Sequence, residues 1–177
     1  QFLSKAALAE AIDQAANLAP KAYHNTLTGG AYLNETEDDP DLAETTALGV
    51  VACDQIPQDH VISAVYHSTQ LLELVAKITG IDPLYRYACT LGAINLAVMK
   101  TGDHLRWHFD QSDFVVSIPL RESESGGRYQ YVPNLRSESS QNRQGVAAVI
   151  RGDHGELQEL EAQPGSLVVF RGKNTLH

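Results

Sequence analysis

Ala93-Ile94-Asn95-Leu96-Ala97-Val98-Met99-Lys100-Thr101-Gly102-Asp103-His104-Leu105-Arg106-Trp107-His108-Phe109 is two β-type runs around a turn. Residues 93–99 are apolar except for Asn95, and residues 100–103 are turn formers. Residues 105–109 then alternate, with Leu105, Trp107 and Phe109 on one face and Arg106 and His108 on the other. Working outward, similar short runs occupy residues 84–88, 114–120, 128–132, 146–150 and 166–170. Ser125-Gly126-Gly127, Arg151-Gly152-Asp153-His154-Gly155 and Gln163-Pro164-Gly165 lie between the later ones. Short strands with regular turns argue a sandwich or barrel.

Upstream of Gly80 the period changes. Residues 3–19 read as an amphipathic helix with Ser4 as cap, Leu8, Ile12 and Leu18 near one face, and Pro20 as stop. Residues 60–79 read as a second helix, capped by Asp59 and closed by Gly80. Its apolar side chains Val61, Val65, Leu72, Val75 and Ile78 recur three to four apart. Between the helices, residues 24–44 are polar, with Gly29-Gly30 and Asp38-Asp39-Pro40, and read as a loop long enough to serve as a lid. Helices first and strands afterwards predict an α+β fold with helices buttressing one sheet. The expectation is one domain, with residues 1–80 as helical buttress and lid and residues 81–177 as the β core.

The 177 residues are 43% hydrophobic and 20% charged, enough to bury a core and unlike a disordered chain. The formal charge of −9 repels phosphate backbones, which argues against a nucleic-acid partner. No apolar run reaches the ~20 residues of a membrane span, and the first residues do not form a signal segment. Cys53 and Cys89 show neither CxxC nor zinc-ligand spacing, which suits a reduced, cytoplasmic setting. The opening at Gln1 and the stop on His177 read as a trimmed chain, and spacings across residues 38–46 are treated as unsafe.

The chemistry concentrates after the turn. His108 and Asp110, two apart on an extended run, present an imidazole and a carboxylate to one side. A borderline ion such as Fe(II) takes such a pair together with a second histidine from a distant strand, and His177 is the candidate for it. His154-Gly155-Glu156 offers the same ligand types, but in a Gly-rich polar turn where a solvated histidine is expected.

The ordered motifs resemble a known family. His108-Phe109-Asp110, the run 114–120, Gly126-Gly127-Arg128-Tyr129-Gln130-Tyr131-Val132, Pro164-Gly165-Ser166-Leu167-Val168-Val169-Phe170 and a distal His177 are similar to the Fe(II)/2-oxoglutarate-dependent oxygenases. The stretches 95–103 and 133–137 resemble the branch that contains amino-acid radical halogenases and their hydroxylase relatives. The resemblance covers residues 84–177. It implies a double-stranded β-helix (jelly-roll, cupin-like) core and an enzyme using Fe(II), 2-oxoglutarate and O2 on a small, amino-acid-like metabolite. His108, Asp110 and His177 would be its metal ligands. It also implies oxygenation rather than halogenation, because the halogenases carry a small residue where this chain has Asp110. The arginine that the family places on the far carboxylate of 2-oxoglutarate falls beyond His177, outside this sequence.

Within that resemblance, Asn95 is a candidate for the cosubstrate carboxylate, or an amide satisfied by neighbouring backbone. Arg171 is a candidate for a substrate or cosubstrate carboxylate, or an exposed side chain beside a glycine turn. Arg106 and Gln111 are candidates for substrate binding. Tyr85, Tyr87, Tyr129 and Tyr131 are expected to fill core or pocket wall, and one of them could reach the cosubstrate. The competing expectations are a cupin-like binding protein without turnover and a zinc hydrolase using the same three ligands. A homo-oligomer is compatible with the sequence.

Overall fold

A computed structural model describes residues 2–32, 39–153 and 155–177. In order, it contains helix α1 (Lys5–Leu18), strands β1 (Tyr23–Gly29) and β2 (Glu44–Ala52), and helices α2 (Val61–His67) and α3 (Thr69–Thr79). Strands β3 (Asn95–Val98), β4 (Val115–Ser117) and β5 (Tyr129–Tyr131), helix α4 (Arg143–Ile150), and strands β6 (Gln158–Leu160) and β7 (Val168–Phe170) follow. The sheets are small, with strand orders β1-β2-β3, β4-β7 and β5-β6, and among the described residues none closes on itself. The chain divides into two units, one made of Asn25–Ala47 and Thr101–His177, the other of Phe2–His24 and Leu48–Lys100.

The second unit holds helices α1, α2 and α3. Ser4 caps α1 as expected, its hydroxyl accepting from Ala7 N–H at 3.2 Å. The expected helix over residues 60–79 is instead two helices broken at Ser68, whose ψ of 138° is extended. The Ser68 hydroxyl accepts from Leu71 N–H and starts α3, while the Arg86 guanidinium collects the carbonyls left free at the break. It donates to Tyr66, His67 and Ser68 oxygens at 2.9, 2.9 and 2.8 Å. The contiguous apolar period hides this break, because the side chain that stabilises it comes from outside the helix. His60, not Asp59, is the N-cap of α2, and the Gln14 side chain accepts from Val61 N–H at 2.8 Å. Gly80 closes α3 at φ 73°, the left-handed conformation that glycine adopts without penalty. Leu18, Val51 and Ile56 form this unit's core, and β2 and β3 pair antiparallel from Gly49↔Val98 to Ala52↔Asn95.

Three expectations are corrected here. Residues 84–88 form no strand; Tyr85 and Tyr87 are exposed while Arg86 turns inward to the helix break. The expected loop 24–44 contains most of β1 and the start of β2, because Thr-rich alternation is also strand chemistry, and its residues 33–38 lie outside the described ones. Residues 146–150 are helical, not a strand. Asn142 caps α4 by accepting from Gly145 N–H, and Val146, Ala147 and Val149 are buried on its inner face. A short apolar run does not by its period separate strand from helix, and the cap four residues earlier decides it.

The first unit carries the site. Its core is Ala31, Tyr32, Phe109, Val132, Val146, Val149 and Leu176, with Trp107 packed against it. Strands β4 and β7 pair antiparallel, Val115↔Phe170 to Ser117↔Val168, and β5 and β6 pair from Tyr129↔Leu160 to Tyr131↔Gln158.

Candidate metal centre

Residues 105–109 do not form a regular strand, yet residues 108–110 run extended between two neighbours. Phe109 N–H donates to Ala31 O at 3.0 Å on one side. On the other, His108 N–H donates to His177 O at 3.0 Å, His177 N–H returns to His108 O at 3.1 Å, and Asp110 N–H reaches Gly172 O at 3.0 Å. The far side of the terminal segment is held as well, because Val132 and Leu176 exchange bonds of 2.8 and 3.1 Å. The alternation then sorts the side chains: Phe109 and Leu176, 1% and 0% exposed, go into the core, so their neighbours His108, Asp110 and His177 turn to the opposite face. His108 and His177 are a mutually bonded pair, which sets their rings side by side with centroids 4.3 Å apart.

One ligand atom from each of His108, Asp110 and His177 lies within 4.8 Å of the other two, and among the described residues this is the one such cluster. His108 Nε2 is 3.8 Å from Asp110 Oδ1, and His177 Nε2 is 3.3 Å from Asp110 Oδ2. Each Nδ1 is bound to a backbone carbonyl two residues back, His108 to Arg106 O at 2.8 Å and His177 to Thr175 O at 2.9 Å. A carbonyl only accepts, so each Nδ1 carries a proton, and Nε2 is the atom that offers a lone pair in the neutral form of each ring. Both lone pairs face a carboxylate whose buried Oδ2 has no hydrogen-bond donor among the described residues. Three converging electron-pair donors with no hydrogen between them repel unless a cation joins them. Two imidazole nitrogens and one carboxylate oxygen are a donor set that suits a non-haem Fe(II) ion with open positions, and the backbone bonds at Nδ1 fix the ring orientations such a ligand set needs.

Burial, and then the neighbouring His177, hold the His108 imidazole below its ordinary range, so it stays a neutral donor into mildly acid solution. The unfolded chain therefore binds a proton at His108 that the folded chain refuses. Stability of the metal-free protein is expected to fall as pH drops from about 6.5, the unperturbed histidine value, toward the lower folded value, and to level off beneath it. Denaturant midpoints measured across that window, with His108→Gln losing this component of the slope, check it.

The other expected residues fall elsewhere. Arg106 is committed to structure: its Nε donates to Gly30 O and its terminal nitrogen to Thr46 Oγ1, both at 3.1 Å. Gln111 is exposed just after the cluster, and Arg171 is exposed while its carbonyl accepts from Asn174 and Thr175 N–H at 3.0 Å each. Asn95 belongs to the other unit and is exposed on β3, not buried as its apolar flanks suggest. His154 lies outside the described residues.

Two residues outside the expected ligand and binding sets matter. Gly172 is buried against Asp110: a Cβ there would overlap Asp110 Oδ2 and lie 2.7 Å from its Cβ. Tyr129 on β5 stacks on His177 with centroids 5.6 Å apart and 29° between planes, while Phe170 meets the same ring edge-on at 4.9 Å. The Gly-Gly pair just before Tyr129 marks that strand in the sequence, but nothing in the chain order tells which of its tyrosines touches the terminal histidine.

No helix among the described residues is long and apolar enough to cross a membrane. A family model described as Halogenase D matches residues 9–177. No curated protein matches the chain.

Proposed function

We propose, from the premise that this chain belongs to the halogenase D family, that it is a non-haem iron oxygenase. It would use 2-oxoglutarate and O2 to hydroxylate or otherwise oxidise a small, amino-acid-like metabolite. The observation that carries this reading is the convergence of two imidazole nitrogens and a donor-less carboxylate oxygen on one face of the chain. When bound there, Fe(II) with 2-oxoglutarate supplies oxidising chemistry in which O2 is consumed, the keto acid becomes succinate and CO2, and a substrate C–H becomes C–OH.

The chain's own residues do the rest. His108 and His177 hold the metal through Nε2, each kept in the required tautomer by the carbonyl behind it. Asp110 supplies the charged third ligand. Tyr129 and Phe170 wall the His177 side with aromatic carbon and keep water from that ring. Asp110 also favours oxygenation over halide transfer, because its carboxylate fills the position a halide ligand would need and Gly172 leaves the room for it. The antiparallel pairs β4–β7 and β5–β6, with the Val132↔Leu176 bridge, support a double-stranded β-helix as this unit's core.

The test is anaerobic addition of 2-oxoglutarate to the Fe(II)-loaded protein, followed by exposure to O2 with a panel of free amino acids. The expected result is a weak visible charge-transfer band and then substrate-stimulated succinate release. A cupin-like binder would show neither, and a zinc hydrolase would turn over with zinc and without O2; either result overturns the reading.

A further inference from the structure

Past the Val132↔Leu176 bridge, Pro133 and Asn134 turn the chain, with Asn134 at φ 56°, a left-handed conformation that asparagine adopts more readily than most residues. The turn brings Arg136 onto Phe109, whose ring points away from the metal ligands. The guanidinium carbon lies 4.2 Å from the centre of that ring. From there Nε donates to Lys173 O at 2.7 Å, and a terminal nitrogen reaches toward Asp110 O at 3.5 Å. The same junction is tied twice more. Arg136 N–H donates to Asn174 O at 3.3 Å, and Asn174 Nδ2 donates to Arg136 O at 2.8 Å. One side chain thus spans both pieces of chain that carry ligands, residues 108–110 and the turn 171–174 that leads to His177. A planar fork with donors along several edges suits such bridging, and the aromatic face beneath it favours its charge.

We infer that Arg136 is a positioning residue of the metal site: it holds the Lys173 carbonyl against residues 109–110 so that Asp110 and His177 converge on one ion. The inference rests on the iron-oxygenase reading above and deepens it. The lever is short. Lys173 follows Gly172 directly, and Gly172 already lies so close to the Asp110 carboxylate that a Cβ there would overlap Oδ2. A slip of the turn by about 1 Å therefore moves the third ligand, and displacements of that size cost about 100-fold in function. Arg86 is the natural contrast. It braces three backbone carbonyls at the break between α2 and α3, where no member of the cluster lies.

The test compares Arg136→Met with Arg86→Met in the full chain, since methionine keeps an apolar stem and removes every donor. Denaturant midpoints of the metal-free proteins and Fe(II) affinities by anaerobic calorimetry are measured for both. Each substitution is expected to lower the midpoint, because each leaves backbone carbonyls without a charged donor. Only Arg136→Met is expected to weaken Fe(II) binding, by about 10- to 100-fold, the range for residues that orient metal ligands. Where a methionine variant does not fold, the lysine variant of the same arginine replaces it. Arg136→Lys keeps the charge over Phe109 but offers one nitrogen in place of the fork, and is expected to bind Fe(II) about tenfold more weakly. Native Fe(II) affinity in the folded Arg136 variant would overturn the assignment and leave the arginine a residue of the fold alone. An equal loss of affinity in the Arg86 variant would also overturn it, because general loosening would then account for the effect. If the native protein does not bind Fe(II), the oxygenase reading itself fails and this inference falls with it. If the native protein binds Fe(II) and the Arg136 variant binds it equally well, only the inference fails.

Discussion

Asp110→Ala is expected to cut Fe(II) affinity by at least about 100-fold, the upper end of what loss of a merely supporting residue costs, and to abolish 2-oxoglutarate-dependent succinate release. The same change should leave the metal-free protein as stable as before, or more so. The two effects separate because the carboxylate costs the empty site something. Its Oδ2 is buried without a donor and sits 3.3 Å from an imidazole nitrogen that presents a lone pair. A buried acceptor without a partner costs about 1–3 kcal/mol, so deleting it relieves the apo fold. Adding a divalent ion reverses the balance, since the carboxylate is the one charged donor of the cluster. Fe(II) binding by anaerobic calorimetry and denaturant midpoints with and without metal measure the two sides. Asp110→Asn, of the same shape without the charge, should behave alike. Unchanged metal affinity in either variant would take Asp110 off the metal, and a large loss of apo stability would make it a structural residue.

The triad could be read from sequence because its logic is local twice over. Alternation across residues 105–109 fixes which faces Trp107, His108 and Phe109 take, and the apolar run before the last turn sends the chain back toward them. Burial of Phe109 and Leu176 enforces both. The strands at 95–98, 115–117, 129–131 and 168–170 were legible for the same reason, each lying inside a longer run expected from its β-type residues. Elsewhere the deciding partner is distant in sequence. The break at Ser68 depends on Arg86, the helix at 143–150 on a cap in a polar stretch, and the inward reach expected of Asn95 fails because β3 exposes that residue. Arg106 shows the limit most clearly. Alternation alone puts it on the face of His108, but Gly30 and Thr46, far earlier in the chain, take up its guanidinium. Glycine is equally silent: Gly172 reads as a turn former, and its function is the room its missing Cβ leaves for Asp110.

That room yields the second large effect. Gly172→Ala places a methyl into the Asp110 carboxylate, overlapping Oδ2 and lying 2.7 and 2.8 Å from Cβ and Cγ. The backbone on both sides is committed, because Gly172 O accepts from Asp110 N–H and Gly172 N–H donates to Phe170 O at 3.1 Å. The side chain of Asp110 must therefore give way, and it does so by leaving the point on which the histidines converge. Overpacking of this kind costs about 1–3 kcal/mol, and a displacement of about 1 Å in a functional group is enough for losses near 100-fold in activity. The expected result is a protein that folds, unfolds at a lower denaturant midpoint and binds Fe(II) about 10- to 100-fold more weakly. The collision needs both partners, so the cost should vanish when Asp110 is glycine. Gly172→Ala in an Asp110→Gly background is expected to change stability by no more than a few tenths of a kcal/mol, the size of an uncoupled surface change. A full additive penalty in the double variant would mean that the methyl strikes something other than the carboxylate, and that Gly172 does not make room for the third ligand.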